Sequence, residues 1–391
     1  MRVFTIEERR ARLGVRHHLS RQTSDVTDVA AALVGLHSSD PATVYLSARA
    51  RVEGFEVADL ERALYDERSL LRMLGMRRTM FVVPRDLAAV MDTACARALA
   101  PAQRRRLVEL LEVQGIAGDG EAWLADVEAQ ALHHLERRGE ATASELRSDV
   151  PEFTESFRFG EGKPWGGFTG VSTRVLFLLA TEGKIVRARP KGSWLSAQYR
   201  WTTLERWIGG PLPELDPVAA RSELVRRWLG TYGPGTIADL KWWTGWTVRD
   251  TRATLETVGA AEVELDTGTG YVLGDDLETA AAPADWVALL PSLDPAAMGW
   301  KERDWYLGEH AARLFDRNGN AGPTVWWNGR VVGGWSQRRD SGEIVIRLLE
   351  PLPTDVVDDV GAEAEALRSW MGDIRVTARF PTPLDKELRS V

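Results

Sequence analysis

Ser172-Thr173-Arg174-Val175-Leu176-Phe177-Leu178-Leu179-Ala180-Thr181-Glu182-Gly183-Lys184-Ile185-Val186-Arg187-Ala188-Arg189 is the stretch on which the fold turns. Residues 172–182 read as a helix whose apolar run 175–180 has to be heavily buried, and Gly183 ends it as a C-terminal cap does. Residues 184–189 then read as a strand, paired with 199–202 across a loop holding Pro190-Lys191-Gly192-Ser193. Working backwards, 141–147 is a short helix opened by small polar residues, and 123–138 is a long one. Helix, turn, helix, hairpin is the order of a winged helix within the helix-turn-helix class. The order recurs downstream. Residues 219–232 form a first helix broken at Gly233-Pro234-Gly235, 236–243 a second, 247–258 a third, and 262–266 with 271–273 a second wing.

The flanking segments are mixed. In 1–118, helices are expected at 26–36 and 57–65, with strands inside 69–83. In 283–391, a strand at 286–290 precedes a hairpin of 324–327 and 330–335 around Asn328-Gly329, a strong hairpin signal. A strand at 344–349, a helix at 357–371 and a strand at 374–378 follow. The division is therefore 1–118, 119–210, 211–282 and 283–391, in an α+β chain.

The chain has 391 residues, 49 Lys plus Arg, 57 Asp plus Glu and a formal net charge of −8. That length suits two to four domains. No apolar stretch approaches the roughly 18 residues of a membrane helix, and the charged start Arg2 to Arg10 has no signal core. Cys95 stands alone, which excludes an internal disulfide or a cysteine-cluster zinc site. A cytoplasmic, reduced, monomeric protein is expected, with no metal and no cofactor.

Charge is uneven along the chain. Residues 184–206 hold six basic groups against Glu205, and the wing carries Lys184, Arg187, Arg189, Lys191 and Arg200 with Trp194 and Trp201 interleaved. Such a surface suits a phosphate backbone, or is a solvated edge strand. The second wing, 259–278, has six acidic and no basic residues and is a poor groove reader. Arg77-Arg78 lies on an expected strand, where alternation sends one side chain inward. Trp326 and Trp327 point to opposite faces of their strand. One of them with Arg330 can probe a groove, or both can pack the core.

Chemistry-bearing residues are few. The sequence has no phosphate-binding glycine loop with Lys, no nucleophile elbow and no paired-histidine metalloprotease helix. His17-His18 and His133-His134 are adjacent, so neither pair shares a metal. His37-Ser38-Ser39-Asp40 remains, at a turn marked by Pro41. Its His can act as a general base near neutrality, with Ser39 or Asp40 orienting a water; alternatively the cluster caps a helix.

Several stretches carry a family resemblance: 33–41, 45–51, 60–64 and 71–84, and, further on, 291–295 with 301–304, and 324–335. In that order they resemble the tandem winged-helix DNA glycosylases of the AlkZ and AlkX (YcaQ) type. The resemblance implies three tandem winged-helix domains forming a concave DNA-binding surface, the third of them winged-helix-like at 283–391. It also implies a monofunctional enzyme that removes N7-alkylated or bulky, crosslinked purines from double-stranded DNA, in a repair or genotoxin self-resistance role, associated with the nucleoid. The family's catalytic Gln-x-Gln, or Gln-x-Asp, followed by Asp-Pro, falls on His37, Ser39, Asp40 and Pro41. The last two match and the first two do not. The expected DNA contacts are Arg77, Arg78, Lys184, Arg187, Arg189, Lys191, Trp326, Trp327 and Arg330. Two other readings compete with the enzyme: a catalytically inactive DNA-binding protein or regulator, and a protein-binding scaffold.

Overall fold

Asp25 and Asp40 each accept a backbone N–H two residues on, and so start the helices Val26–Ala32 and Pro41–Arg49, the second with Pro at its first position. Between them runs strand β1 (Leu36–His37). Gly35, at φ 105°, makes the turn into β1; a Cβ there would lie 2.9 Å from Val83. A third helix, Val57–Glu61, continues as the π-helical turn Arg62–Asp66. A hairpin of β2 (Leu70–Leu74) and β3 (Met80–Pro84) closes the unit, with β3 central in the sheet order β1-β3-β2. The structure is a computed structural model, and it describes residues 1–159, 162–163 and 166–390.

The same order follows again. Helix Gly120–Arg138 leads into β4 (Ala141–Thr142), where Thr142 and Glu145 form a reciprocal capping box for helix Ala143–Asp149. After the hairpin β5 (Ser156–Phe159) and β6 (Gly167–Gly170), helix Val171–Thr181 buries Val175, Leu176, Leu178 and Leu179. The wing is β7 (Ile185–Pro190) and β8 (Tyr199–Thr203), and the sheet order β4-β8-β7 reproduces that of the first unit. Helices Pro217–Tyr232, Ile237–Thr244 and Val248–Thr257 and the hairpin β9 (Ala261–Leu265) and β10 (Gly268–Val272) make a third copy. In it, one bridge between Gly235 and Tyr271 stands where the short first strand would be.

The remaining segment departs from expectation. Residues 283–391, expected to be winged-helix-like, form an antiparallel meander of β11 (Val287–Leu290), β12 (Thr324–Trp327), β13 (Arg330–Gln337) and β14 (Ile344–Leu348). Helix Thr354–Met371 packs on β11 and β14, and helix Pro383–Ser390 on β13. Residues 374–378 form no strand; this extended segment is tied to β13 by Val376 N–H donating to Gln337 Oε1 at 2.8 Å.

One buried ion pair locks the first unit to the meander. Arg51 and Asp294, both 0% exposed, bond through both guanidinium ends at 2.7 and 2.9 Å. Ser47 Oγ donates to the same carboxylate at 2.6 Å. This explains why 45–51 and 291–295 carry distinctive residues although, Arg49 apart, both stretches are buried.

Candidate functional site

The His37-Ser38-Ser39-Asp40 motif sits where β1 leaves its sheet. His37 pairs with Phe81 of β3, and the two rings meet edge-on with centroids 5.1 Å apart. Ser38 donates its backbone N–H to Met80 O at 2.7 Å. The Ser39 backbone N–H points at Nδ1 of His37, 3.5 Å away. The Asp40 carboxylate accepts from Ala42 N–H at 3.2 Å and from Arg379 N–H at 3.0 Å, so it caps a helix and also anchors the segment 374–379. His37, Ser38 and Asp40 are 5%, 1% and 6% exposed, whereas Ser39 is half-buried.

Burial, with Arg77 nearby, pulls the His37 imidazole down to about 3. It is neutral at physiological pH, and because Nδ1 accepts, its proton sits on Nε2. A general base works best with a pKa near the operating pH, and at about 3 the His37 imidazole is poorly matched to taking a proton from water. Its geometry is that of a group orienting the Ser39 turn. Burial pushes the Asp40 carboxyl up, against the pull of two backbone donors and the Arg379 charge.

Behind the motif stands Arg72 of β2, 2% exposed. It hydrogen-bonds Ser38 Oγ and lies over the Tyr199 ring, 4.7 Å from its centroid. Its Nε has no partner, and the groups acting on its charge are tyrosines rather than carboxylates. Sequence reasoning passed over it, although an arginine inside Leu70-Leu71-Arg72-Met73-Leu74 was a visible signal.

A cleft of about 620 Å³ opens between the β2–β3 hairpin and the second unit. Apolar and aromatic side chains, including Met80, Phe177, Tyr199 and Trp201, form its walls, and Arg78, Arg187 and Lys191 supply its charge. Among the described residues, no acidic one lines it. Arg187 lies 5.1 and 5.2 Å from the Tyr199 and Trp201 ring centroids. Burial, and then the charges of Arg72 and Arg379, bring its guanidinium down to about 10. His37, Ser39 and Asp40 do not line the cleft; Arg72 and Tyr199 stand between it and the motif.

The other expected DNA contacts are placed elsewhere. Arg77 and Arg78 occupy the tip between β2 and β3 rather than a strand, both with left-handed backbone (φ 53° and 59°). Arg78 is exposed, while Arg77 stacks on Trp242 at 4.0 Å and is brought down to about 10 by burial and Arg303. Lys184 is paired with Glu182 at 2.6 Å, Arg189 with Glu61 at 2.7 Å, and Arg330 with Glu350 at 2.7 Å. Trp326 has no exposed surface and stacks on Tyr306, so as a DNA contact it is corrected to a core residue; Trp327 is half-buried under Arg330. The Asn328-Gly329 tip, with φ 46° and 81°, is closed off, since a Cβ on Gly329 would lie 2.6 Å from Arg10 Cβ. Among the described residues, no group of three or more His, Cys, Asp or Glu is placed to hold a metal ion. Nor is any helix there long and apolar enough to cross a membrane.

A family model described as "DNA glycosylase AlkZ-like" matches residues 30–370. The solved structure of Streptomyces sahachiroi DNA glycosylase AlkZ is similar, with a TM-score of 0.72 and 20% sequence identity over 97% of this chain and 100% of that one. At that identity the likeness speaks for the fold. No curated protein sequence matches. The family match runs from ahead of the His37–Pro41 motif to beyond the meander, and with it the chain belongs to the AlkZ-like family of DNA glycosylases, a membership that supports a glycosylase hydrolase acting on DNA.

Proposed function

We propose that this protein, working without a cofactor as a monomer, hydrolyses the N-glycosidic bond of N7-alkylated or bulky, crosslinked purines in double-stranded DNA. It does so on three winged-helix units at 26–84, 120–203 and 217–272, a role suited to resistance against a DNA-alkylating toxin. The observation that carries the reading is that, in a chain of net charge −8, the cleft one layer from the motif gathers three cations and, among the described residues, no acid, a local positive charge. A polyanion compensates that charge, and Lys and Arg without carboxylate partners are the groups that release counterions on DNA.

Alkylation at N7 makes the purine cationic and weakens its bond to C1′. The site then needs only to place a water and favour an oxocarbenium-like charge. Ser39 is the motif side chain that reaches solvent, and it holds the water. His37 orients the Ser39 turn, and the Asp40 carboxylate contributes negative potential toward the developing cation. The motif contains no amine to form a covalent adduct, which favours the monofunctional route. Arg78, Arg187 and Lys191 bind the phosphate backbone, while Lys184, Arg189 and Arg330 are already neutralised.

Release of free modified base from N7-methylated and crosslinked duplexes, resolved by chromatography, tests this. Release above the spontaneous rate supports the enzyme. The buried, neutral His37 favours a second reading, a DNA-binding protein without glycosylase activity, which predicts salt-dependent duplex binding and no release.

A further inference from the structure

Tyr199 reaches from β8 of the second unit toward the motif of the first, and its hydroxyl makes no hydrogen bond within the protein. It is 6% exposed and its phenolic oxygen has no hydrogen-bond partner. A buried hydroxyl left unpaired is costly and calls for an explanation. Arg72 and Arg187 flank its ring at 4.7 and 5.1 Å. Each of these guanidiniums has an unpartnered Nε. Asp40 is a carboxylate that acts on the phenol, and it is already engaged by two backbone donors.

We propose that the Tyr199 hydroxyl and the Arg187 guanidinium form a seat for one phosphodiester group of the bound strand, beside the motif. A phosphate accepts from an O–H and from a planar N–H fork at once. The positive track continues along the cleft through Arg78 and Lys191, as a chain of phosphates requires and a single small anion does not. Arg72, bonded to Ser38 Oγ and packed on the Tyr199 ring, connects the seat to the motif, so a phosphate held there fixes the neighbouring sugar relative to Ser39. The inference rests on the DNA reading above, but its test uses undamaged duplex and is independent of base release.

Tyr199→Phe removes one oxygen that bonds nothing in the protein, so its urea midpoint matches wild type. Its affinity for undamaged duplex, by fluorescence anisotropy, falls about 10-fold with the salt slope unchanged. Arg187→Gln lowers the slope of log K against log salt by about 0.9. The double variant loses less than the sum, because both groups hold one phosphate. Wild-type affinity in both single variants overturns the seat. So does protection of wild type, but not Arg187→Gln, by inorganic phosphate at constant ionic strength with DNA affinity unchanged, since that marks a free-phosphate site. Normal losses in binding together with no base release by wild type leave the seat standing and remove the glycosylase reading.

Discussion

Replacing His37 by Gln tests the electrostatic state of the motif. In the fold the imidazole is held at about 3 by burial and Arg77, against an unfolded value of about 6.5. The unfolded chain therefore takes up the proton first. The stability this group contributes is complete above about pH 6.5, drains away as the pH falls toward 3, and changes no further below that. The full span is worth roughly 5 kcal/mol, and the part lost by pH 4.5 roughly 3 kcal/mol, at about 1.4 kcal/mol per unit. His17 and His18 are also shifted down by burial, so the raw acid slope belongs to several groups and the difference between proteins isolates His37. Urea unfolding of wild type and His37→Gln at pH 7.5 and 4.5 reads that difference. The variant is expected to lose about 3 kcal/mol less on acidification. Equal losses would refute a buried neutral imidazole. In the same pair, base release by wild type is expected to stay flat from about pH 6 to 8. A limb near pH 6.5 that disappears in His37→Gln would restore the general base.

Two further perturbations follow from the ion pairs. Asp294→Asn leaves Arg51 buried beside a neutral side chain and is expected to cost about 3–5 kcal/mol in denaturant unfolding, whereas Arg51→Met with Asp294→Leu recovers most of that; a single-variant cost below about 1 kcal/mol contradicts the locking role. Arg78→Gln and Lys191→Gln are each expected to reduce the DNA salt slope by about 0.9, while Lys184→Gln and Arg189→Gln leave it unchanged because Glu182 and Glu61 already hold those cations. Equal effects across the four would remove the cleft as the DNA face.

The repeated architecture was legible where local signals were strong. The run 175–180 could only be buried, Gly183 could only end a helix, and the hairpins announced themselves by alternation. The copy at 26–84 is harder to read because its third helix passes into a π-helical turn, which leaves no periodic pattern. Residues 283–391 are expected to be winged-helix-like by resemblance alone; what is legible there from the residues is the hairpin at Asn328-Gly329, which the structure places between β12 and β13 of a four-stranded meander. At the site, the motif and the cations Arg78, Arg187 and Lys191 could be named from sequence. Their sorting from Arg189 and Arg330 could not, since that depends on partners far away in the chain: Glu61 lies 128 residues from Arg189. The strand pattern required Trp326 and Trp327 to part; which one turned inward was decided by Tyr306 and the meander core.

Hydrolysis at this site turns on Ser39. Its most direct measurement is the single-turnover rate of modified-base release from N7-alkylated duplex DNA, wild type against Ser39→Ala, at saturating protein. Wild type is expected to release the base and the variant to lose about 10-fold to 100-fold in rate with duplex affinity unchanged, the cost of one water-holding hydrogen bond in the transition state. Equal rates in the two proteins, or no release by wild type, would contradict it.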